Sequence, residues 1–371
     1  MDQTLTECQI TNATDVPSPA LLIYPDRIQE NVRRMIAIAG GADRLRPHIK
    51  THKMPEIMRI QLELGVTKFK AATIAEAEMA GDTGAPDVVL AYQPVGPNIG
   101  RFIELIRRFP KVHFSALADD AEAITALNAA AEQAGMKLEL LLDLDIGQRR
   151  SGIQPGPRAA ELYKQIAQSS ALIAGGLHAY DGHICETDFA SRTAMCDAAF
   201  DPVEALRASL LERGLPVPQV IAGGTPTFPI HAKRANVECS PGTCVLWDHS
   251  YGSTLPDLDF LHAAIMLTRV VSKPAGNRLC LDLGHKSIAS ENPHPRVRVL
   301  GLENATFVGH SEEHLVLETP RADQFHVGDV LYGIPWHVCP TVALHSEAVV
   351  VRNGRAGERW KVTARDRRIT I

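Results

Sequence analysis

The sequence predicts an α/β protein: a parallel (β/α)8, TIM-like barrel followed by a second, mostly β C-terminal domain. Three observations carry this prediction. From residue 20 to about 240, short β-rich runs alternate with helical stretches, the pattern of a parallel sheet with helical crossovers. After residue 245 long helical patterns are missing and short strand-like runs with turns take over. The chain has 371 residues, too many for one ordinary domain and comfortable for two. A doubly wound open sheet is the rival architecture for the first part.

The barrel strands are expected at 20–24, 44–50, 68–72, 88–92, 112–117, 138–145, 173–180 and 220–224. Helices are expected between them. Ile28, Val32, Met35, Ile36 and Ala39 form an apolar stripe at helical spacing. Ile57, Ile60, Gln61 and Leu64 repeat it less cleanly, and 118–134 and 157–167 are alanine- or leucine-rich. The β domain is expected to use strands at 263–271, 278–283, 296–300, 314–318, 329–332, 343–351 and 360–363. Barrel strand one starts only at Ala20, so residues 1–19 are assigned with 245–371 to the β domain, and 20–244 to the barrel. There is no internal repeat and no low-complexity segment.

Composition narrows the function classes. A net charge of -5 and a pI near 6.3 give no reason to expect nucleic acid or an anionic membrane as partner. No apolar run approaches the roughly 18 residues that span a bilayer. Residues 1–15 lack a basic-then-apolar leader pattern, so a cytoplasmic protein is expected. The seven cysteines are scattered, without a CxxC pair, which argues against a disulfide framework or a zinc knuckle. Cys185, Cys196, Cys239, Cys244 and Cys280 read as apolar fillers.

The most informative stretch is Arg46-Pro47-His48-Ile49-Lys50-Thr51-His52-Lys53, which carries cationic groups at the end of the second strand. A lysine held beside other cations has a lowered pKa and can form a Schiff base. That chemistry suits pyridoxal phosphate (PLP); the alternative is a basic, solvated strand end. In a barrel, active-site groups gather at the carboxyl ends of the strands. There lie Asp143, Asp145 and Arg150 after one strand, and His178, Tyr180 and His183 after the next. Two glycine- and threonine-rich turns follow, 222–227 with Gly224 and Thr225, and 238–243 with Gly242 and Thr243. Such turns expose N–H groups and hydroxyls to an anion, and a phosphate cradle is what PLP needs. Tyr180 or His178 would stack on or hydrogen-bond to a pyridine ring; each taken alone reads equally as core. Downstream, His337 and Cys339 are two apart. On a strand they face one side and would bind one borderline metal such as zinc, leaving positions open for water and substrate.

These residues carry a resemblance. The chain resembles, over nearly its whole length, the PLP-dependent D-threonine aldolase and D-serine dehydratase family, which uses the alanine racemase-like barrel of fold type III. The motifs are 46–53, Asp145-Ile146-Gly147 with Arg150 and Gly152, Gly223-Gly224-Thr225-Pro226-Thr227, Ser240-Pro241-Gly242-Thr243, and His337-x-Cys339. The resemblance implies that Lys50 is the Schiff-base lysine and that Arg150 and Tyr180 lie near the cofactor ring. It implies that Gly224, Thr225, Gly242 and Thr243 hold the phosphate. His337 and Cys339 would bind a divalent metal, either zinc, manganese or magnesium. It also implies a homodimer. Two departures stand out. D-threonine aldolases tend to carry His-x-Asp at the metal pair, and the His-x-Cys here looks like the zinc-dependent D-serine dehydratases. The aldolases also tend to have a histidine six residues after the tyrosine, where this chain has Glu186; His183 is the candidate base instead.

The reading that follows is a PLP- and metal-dependent lyase of D-3-hydroxy-α-amino acids. Retro-aldol cleavage to glycine and an aldehyde is placed first. Dehydration of D-serine or D-3-hydroxyaspartate to a keto acid and ammonia is the alternative. An amino-acid racemase, which needs no metal, and a non-catalytic PLP-binding protein are further alternatives; the β domain argues against the last. Lys286 is either a surface charge or a group that reaches a partner subunit.

Overall fold

The run Ala20–Ile23 (β1) forms a strand where one was expected, but it does not open the barrel. It pairs instead with strands from the C-terminal third of the chain. The structure, a computed structural model, describes residues 8–371. Part of the segment assigned as 1–19, residues 1–7, lies outside the described residues. Among the described residues no helix is long and apolar enough to cross a membrane.

The parallel sheet begins at the third of the expected strands. β2 (Lys68–Ala71), β3 (Asp87–Leu90), β4 (His113–Ala118), β5 (Leu138–Asp145), β6 (Leu172–Tyr180), β7 (Val220–Ala222) and β8 (Glu238–Cys239) pair in sequence order, all parallel. The expected strand 44–50 is reduced to two isolated bridges, Leu45 to Cys239 and His48 to Lys70. Arg46 N–H donates to Cys239 O at 2.8 Å, His48 N–H to Pro241 O at 2.9 Å, and Lys70 N–H to Pro47 O at 2.9 Å. Segment 45–48 therefore fills the gap between β8 and β2 and closes the ring. Pro47 explains its irregularity, since proline has no N–H to give a ladder.

Helices Pro55–Glu63, Ile74–Thr83, Pro97–Arg108, Ala121–Ala134, Pro157–Gln168 and Phe189–Glu212 link successive strands. Local signals set their ends. Thr73 and Asp120 accept from N–H groups of the first turn, and Gly84 and Gly135 close in the left-handed region. Val89, Leu117, Leu141 and Ile221 form a buried cluster contributed by four strands of the ring. Near the amino ends of the strands Arg46, whose side chain is 1% exposed, pairs with Asp87 at 2.5 Å and Glu238 at 2.7 Å. A cavity of about 290 Å³ lined by Asp43, Arg44, Lys68, Gln219 and Glu238 opens at this end, away from the carboxyl ends.

The β-rich unit is a nine-stranded sheet. It contains β1, β9 (Ala264–Ala275), β10 (Arg278–Leu281), β11 (Val297–Val299), β12 (Thr306–His310), β13 (Leu315–Glu318), β14 (Val330–Pro335), β15 (Glu347–Arg352) and β16 (Arg355–Lys361). β1 runs antiparallel to β9 and parallel to β15, so its Leu22 joins Ile265, Leu267, Ile334 and Val349 in the core. β12, for which no strand was expected, is among them. Residues Val338–Leu344 form a short helix, where an extended pair at 337 and 339 and a strand from 343 were expected.

By internal contacts the chain divides into two units. One contains residues up to Val32, Thr51–Ile57 and Thr243–Arg365; the other contains Arg33–Lys50, Met58–Gly242 and Asp366–Ile371.

Candidate active site

Lys50 lies in the turn Ile49–Thr51 that follows the bridging segment, half-buried. Its neighbour His48 anchors the turn: Nδ1 donates to Lys70 O at 2.9 Å. Burial, and then the charges of Lys50 and Lys70, hold the His48 pKa well below the usual histidine value. His48 is thus held neutral, with Nδ1 committed to the Lys70 carbonyl.

Sequence reasoning passed over the second lysine of the site. Lys70, on β2, is 2% exposed. Its Nζ is 3.5 Å from His178 Nε2 and 5.7 Å from the Tyr180 ring centre. Burial, then the neighbouring Lys50 charge, push the Lys70 ammonium down to about 7; Asp143 and Asp181 oppose this and Arg150 adds to it. The available signal was a lysine within a short strand otherwise suited to a core.

His178 and Asp143 are directly opposed in the β5–β6 register, which brings His178 Nδ1 to 2.7 Å from Asp143 Oδ1. Ser151 donates to the other carboxylate oxygen at 3.0 Å. Burial alone would raise the Asp143 pKa; the His178 contact outweighs it and holds the group below the ordinary value. For His178 burial wins and the pKa falls. The imidazole is therefore neutral, with Nδ1–H directed at Asp143 and Nε2 accepting from Lys70. Arg150, on the exposed loop after β5, stacks 4.8 Å from the centre of the Tyr180 ring. That loop is folded by Asp145 Oδ1, which accepts from Gly147 N–H and Arg149 N–H, and by Asp119, which accepts from Gly152 N–H. His183 is exposed, and its ring stands so close to Gly147 that a Cβ there would meet Nε2 at 2.6 Å.

The two turns expected to cradle a phosphate lie after β7 and β8. Gly224 packs on the Tyr180 ring, and a Cβ there would approach it to 3.1 Å. Gly224 N–H donates to Thr227 Oγ1 and Gly242 N–H to Thr225 Oγ1, each at 3.2 Å. Gly224, Thr225 and Gly242 belong to the barrel unit, and Thr243 begins the β-rich stretch. The buried Thr225 hydroxyl and the glycine backbone of Gly224 and Gly242, with the Lys50 and Lys70 amines in the same unit, fit a phosphorylated aldehyde such as PLP.

In the β-rich unit His337 caps the helix Val338–Leu344 and Cys339 is its second residue. They therefore converge through a helix start, not an extended strand. His337 Nδ1 is 2.5 Å from Glu291 Oε1, an arrangement that leaves Nε2 for a metal. Cys339 Sγ is 3.3 Å from Thr51 Oγ1 and 3.8 Å from Thr243 Oγ1. Burial alone would lower the His337 pKa; Cys339 and Glu291 overcome it and hold it up at about 9. An imidazole, a thiol and a carboxylate that together favour a proton form a donor set suited to a divalent cation. Among the described residues, the trio that brings three ligand-type atoms within 4.8 Å of one another is a different one, Asp181, Cys196 and His231 in the barrel unit. Cys196 packs with the buried Ile184 and Ile230 as an apolar filler would, while its Sγ also touches Asp181 and His231; Cys185 is exposed and is not a filler. Lys286 is an exposed side chain paired with Glu312 and Glu313.

Comparison with known proteins agrees with this geometry. A model described as the alanine racemase N-terminal domain matches residues 23–248, and one described as a serine dehydratase domain matches 263–351. The chain is 31% identical over 356 residues to a D-threonine aldolase from Arthrobacter sp, covering 94% of this chain and 93% of that protein. It is 28% identical over 362 residues to a D-threo-3-hydroxyaspartate dehydratase from Delftia sp. (88% and 92% covered). The crystal structure of a D-threonine aldolase from Filomicrobium marinum superposes with a TM-score of 0.87 at 28% identity, over 96% of this chain and 98% of that one. The chain belongs to the D-threonine aldolase and D-serine dehydratase family of PLP-dependent lyases, built on the alanine racemase-like barrel of fold type III.

Proposed function

We propose that this protein is a PLP- and divalent-metal-dependent lyase that cleaves D-3-hydroxy-α-amino acids to glycine and an aldehyde. The observation that carries the reading is the placement of Lys50 beside the buried Lys70, on a chain 31% identical over 356 residues to a D-threonine aldolase. When bound, PLP supplies an electron sink at the substrate Cα and the metal a Lewis acid for its β-hydroxyl.

The chain's own residues do the rest. Lys50 Nζ holds the cofactor. Arg150, Tyr180 and His178 frame its ring, with Asp143 fixing the His178 tautomer. Gly224, Thr225, Gly242 and Thr243 take the phosphate. His337 Nε2 and Cys339 Sγ hold the metal (zinc, manganese or magnesium), with Glu291 orienting the imidazole. His183 takes the hydroxyl proton from its exposed position over the loop after β5. The small-molecule D-amino acid needs no nucleic acid or membrane partner. The reading extends to a cytoplasmic homodimer, for which light scattering should return about twice the 40.4 kDa chain mass.

A second reading is a dehydratase. The specific observation in its favour is Cys339 at the metal pair, where the aldolases tend to carry aspartate. Incubation with D-threonine and with D-serine, with and without EDTA, tests both readings. Glycine plus an aldehyde, lost with EDTA, supports the aldolase; a keto acid plus ammonia supports the dehydratase. EDTA-resistant racemisation would overturn both.

A further inference from the structure

Directly after Tyr180, a buried polar cluster sits behind the turn Gly223–Thr227. Asp181 is 1% exposed and His231 is fully buried. Asp181 Oδ1 accepts from the Thr227 hydroxyl at 2.7 Å. Asp181 Oδ2 stands 2.8 Å from His231 Nε2 and 3.7 Å from Cys196 Sγ. Arg234 Nη1 lies 3.0 Å from His231 Nδ1. We propose that Asp181 and His231 are positioning residues for the cofactor phosphate, acting through Thr227 on the shape of the turn Gly223–Thr227. The proposal rests on the PLP reading of the barrel and goes beyond it to residues that need not touch the cofactor.

The hydrogen bonds have only one consistent direction. A guanidinium can only donate, so His231 Nδ1 accepts from Arg234, and Nε2 carries the ring proton and donates to Asp181. The single Thr227 hydroxyl proton goes to the other carboxylate oxygen. That leaves the Thr227 oxygen to accept from Gly224 N–H, as it does at 3.2 Å. His231 also shapes the turn by bulk. Gly223 has φ +80°, and a Cβ on it would meet His231 Cδ2 at 2.6 Å and Thr227 Oγ1 at 3.0 Å. The backbone N–H of His231 closes the turn from behind by donating to Thr227 O at 3.0 Å. Burial alone would raise the Asp181 pKa; His231 and Thr227 outweigh it and keep the carboxylate charged. An asparagine at 181 cannot replace it. With its oxygen toward Thr227, its NH2 would face the His231 N–H, donor against donor. Turned round, its NH2 would displace the Thr227 proton toward Gly224 N–H.

Asp181, Cys196 and His231 have metal-ligand chemistry, but the cluster is built for protons. A metal on Nε2 would require Nδ1 to carry the hydrogen, opposite a guanidinium with no acceptor. Burial, reinforced by Asp181, pushes the Cys196 thiol up to about 12, so it is not a thiolate.

The experiment compares PLP with pyridoxal, which has the aldehyde but no phosphate. Each is titrated into metal-replete apoprotein and followed by absorbance. Asp181→Asn and His231→Gln should weaken PLP binding about ten- to hundredfold, the worth of one charge-assisted hydrogen bond. Pyridoxal binding should stay within about twofold. Thr227→Ser should keep PLP affinity, and Thr227→Val should lose it. A general structural role would weaken both ligands alike, and that outcome, or unchanged PLP affinity in all variants, overturns the proposal. One equivalent of metal per chain that disappears in Cys196→Ala also overturns it. Wild-type protein that binds PLP no better than pyridoxal would refute the phosphate cradle itself, and this proposal with it.

Discussion

Lys70 Nζ faces His178 Nε2 at 3.5 Å, although their strands are four steps apart in the parallel sheet. The lysine side chain reaches His178 across the interior of the ring. It thereby completes a line Asp143–His178–Lys70 in which a carboxylate fixes a neutral imidazole and the imidazole accepts from an amine. An amine that exchanges its proton near pH 7 suits acid–base work at that pH.

Lys50→Ala should abolish the visible absorbance of bound PLP, and Lys70→Met should retain it. Borohydride reduction followed by peptide mass analysis identifies the lysine that carries the cofactor. A phosphopyridoxyl group on Lys70, Lys53 or Lys286 in the wild-type protein would refute the assignment of Lys50.

Stability should respond to alkaline pH with opposite signs at two sites. The Lys70 pKa is about 7 when folded against 10.5 unfolded, so the unfolded chain binds more protons between those values. Its contribution to stability therefore rises with pH, by up to about 5 kcal/mol. His113 is the reverse. Its hydrogen bonds to Asp87 and Glu139 raise its pKa from 6.5 to about 10, a contribution present below 6.5 and lost as pH rises toward 10. Denaturant titrations across this window should show a steeper fall for Lys70→Met and a steeper rise for His113→Gln than for wild type. Parallel curves for all three proteins would contradict both assignments.

Arg46→Met should destabilise the protein by about 1–3 kcal/mol, the cost of removing a buried guanidinium's charged hydrogen bonds, because the half-buried Asp87 keeps His113 and Glu238 keeps Lys68 as partners. Arg46 meets Asp87 through both terminal nitrogens, at 2.5 and 3.2 Å, and meets Glu238 through Nε at 2.7 Å. Arg46→Lys should recover less than half of the loss, because an ammonium cannot make this forked contact. Urea midpoints compared with wild type check both variants.

Cys339→Ala should lower metal content and activity together. Glu291→Gln should keep the ligands and weaken metal binding about 10- to 100-fold, because the glutamate orients His337. Metal analysis after dialysis against graded chelator is the measurement. Full activity in metal-free Cys339→Ala would refute the site.

Lys50, the lysine proposed to hold the cofactor, stood out in the sequence because Pro47, His48, His52 and Lys53 crowd around it. The two turns proposed to take the phosphate stood out by glycine and threonine beside strand-like runs. The strand 44–50 was misjudged, because Pro47 leaves it only two bridges, Leu45 to Cys239 and His48 to Lys70. The geometry of His337 and Cys339 was misjudged because two residues apart means one face on a strand, whereas His337 caps a helix. Lys70, Asp181 and His231 were passed over because the contacts that single them out, Lys70 to His178 and Asp181 to Thr227 and His231, join segments distant in sequence.

By itself the sequence determined the alternating barrel, the β-rich second unit and the family. Those properties are written in local periodicity, turn chemistry and short motifs. Only the tertiary structure decided that β1 pairs with β9 and β15 instead of opening the ring, and that segment 45–48 closes it. It alone decided that Lys70 meets His178 and that Asp181 meets His231 and Thr227. The reason is physical. Strand alternation tells which face a side chain takes, but which side chains meet across a closed sheet depends on register and on the order of strands around the ring.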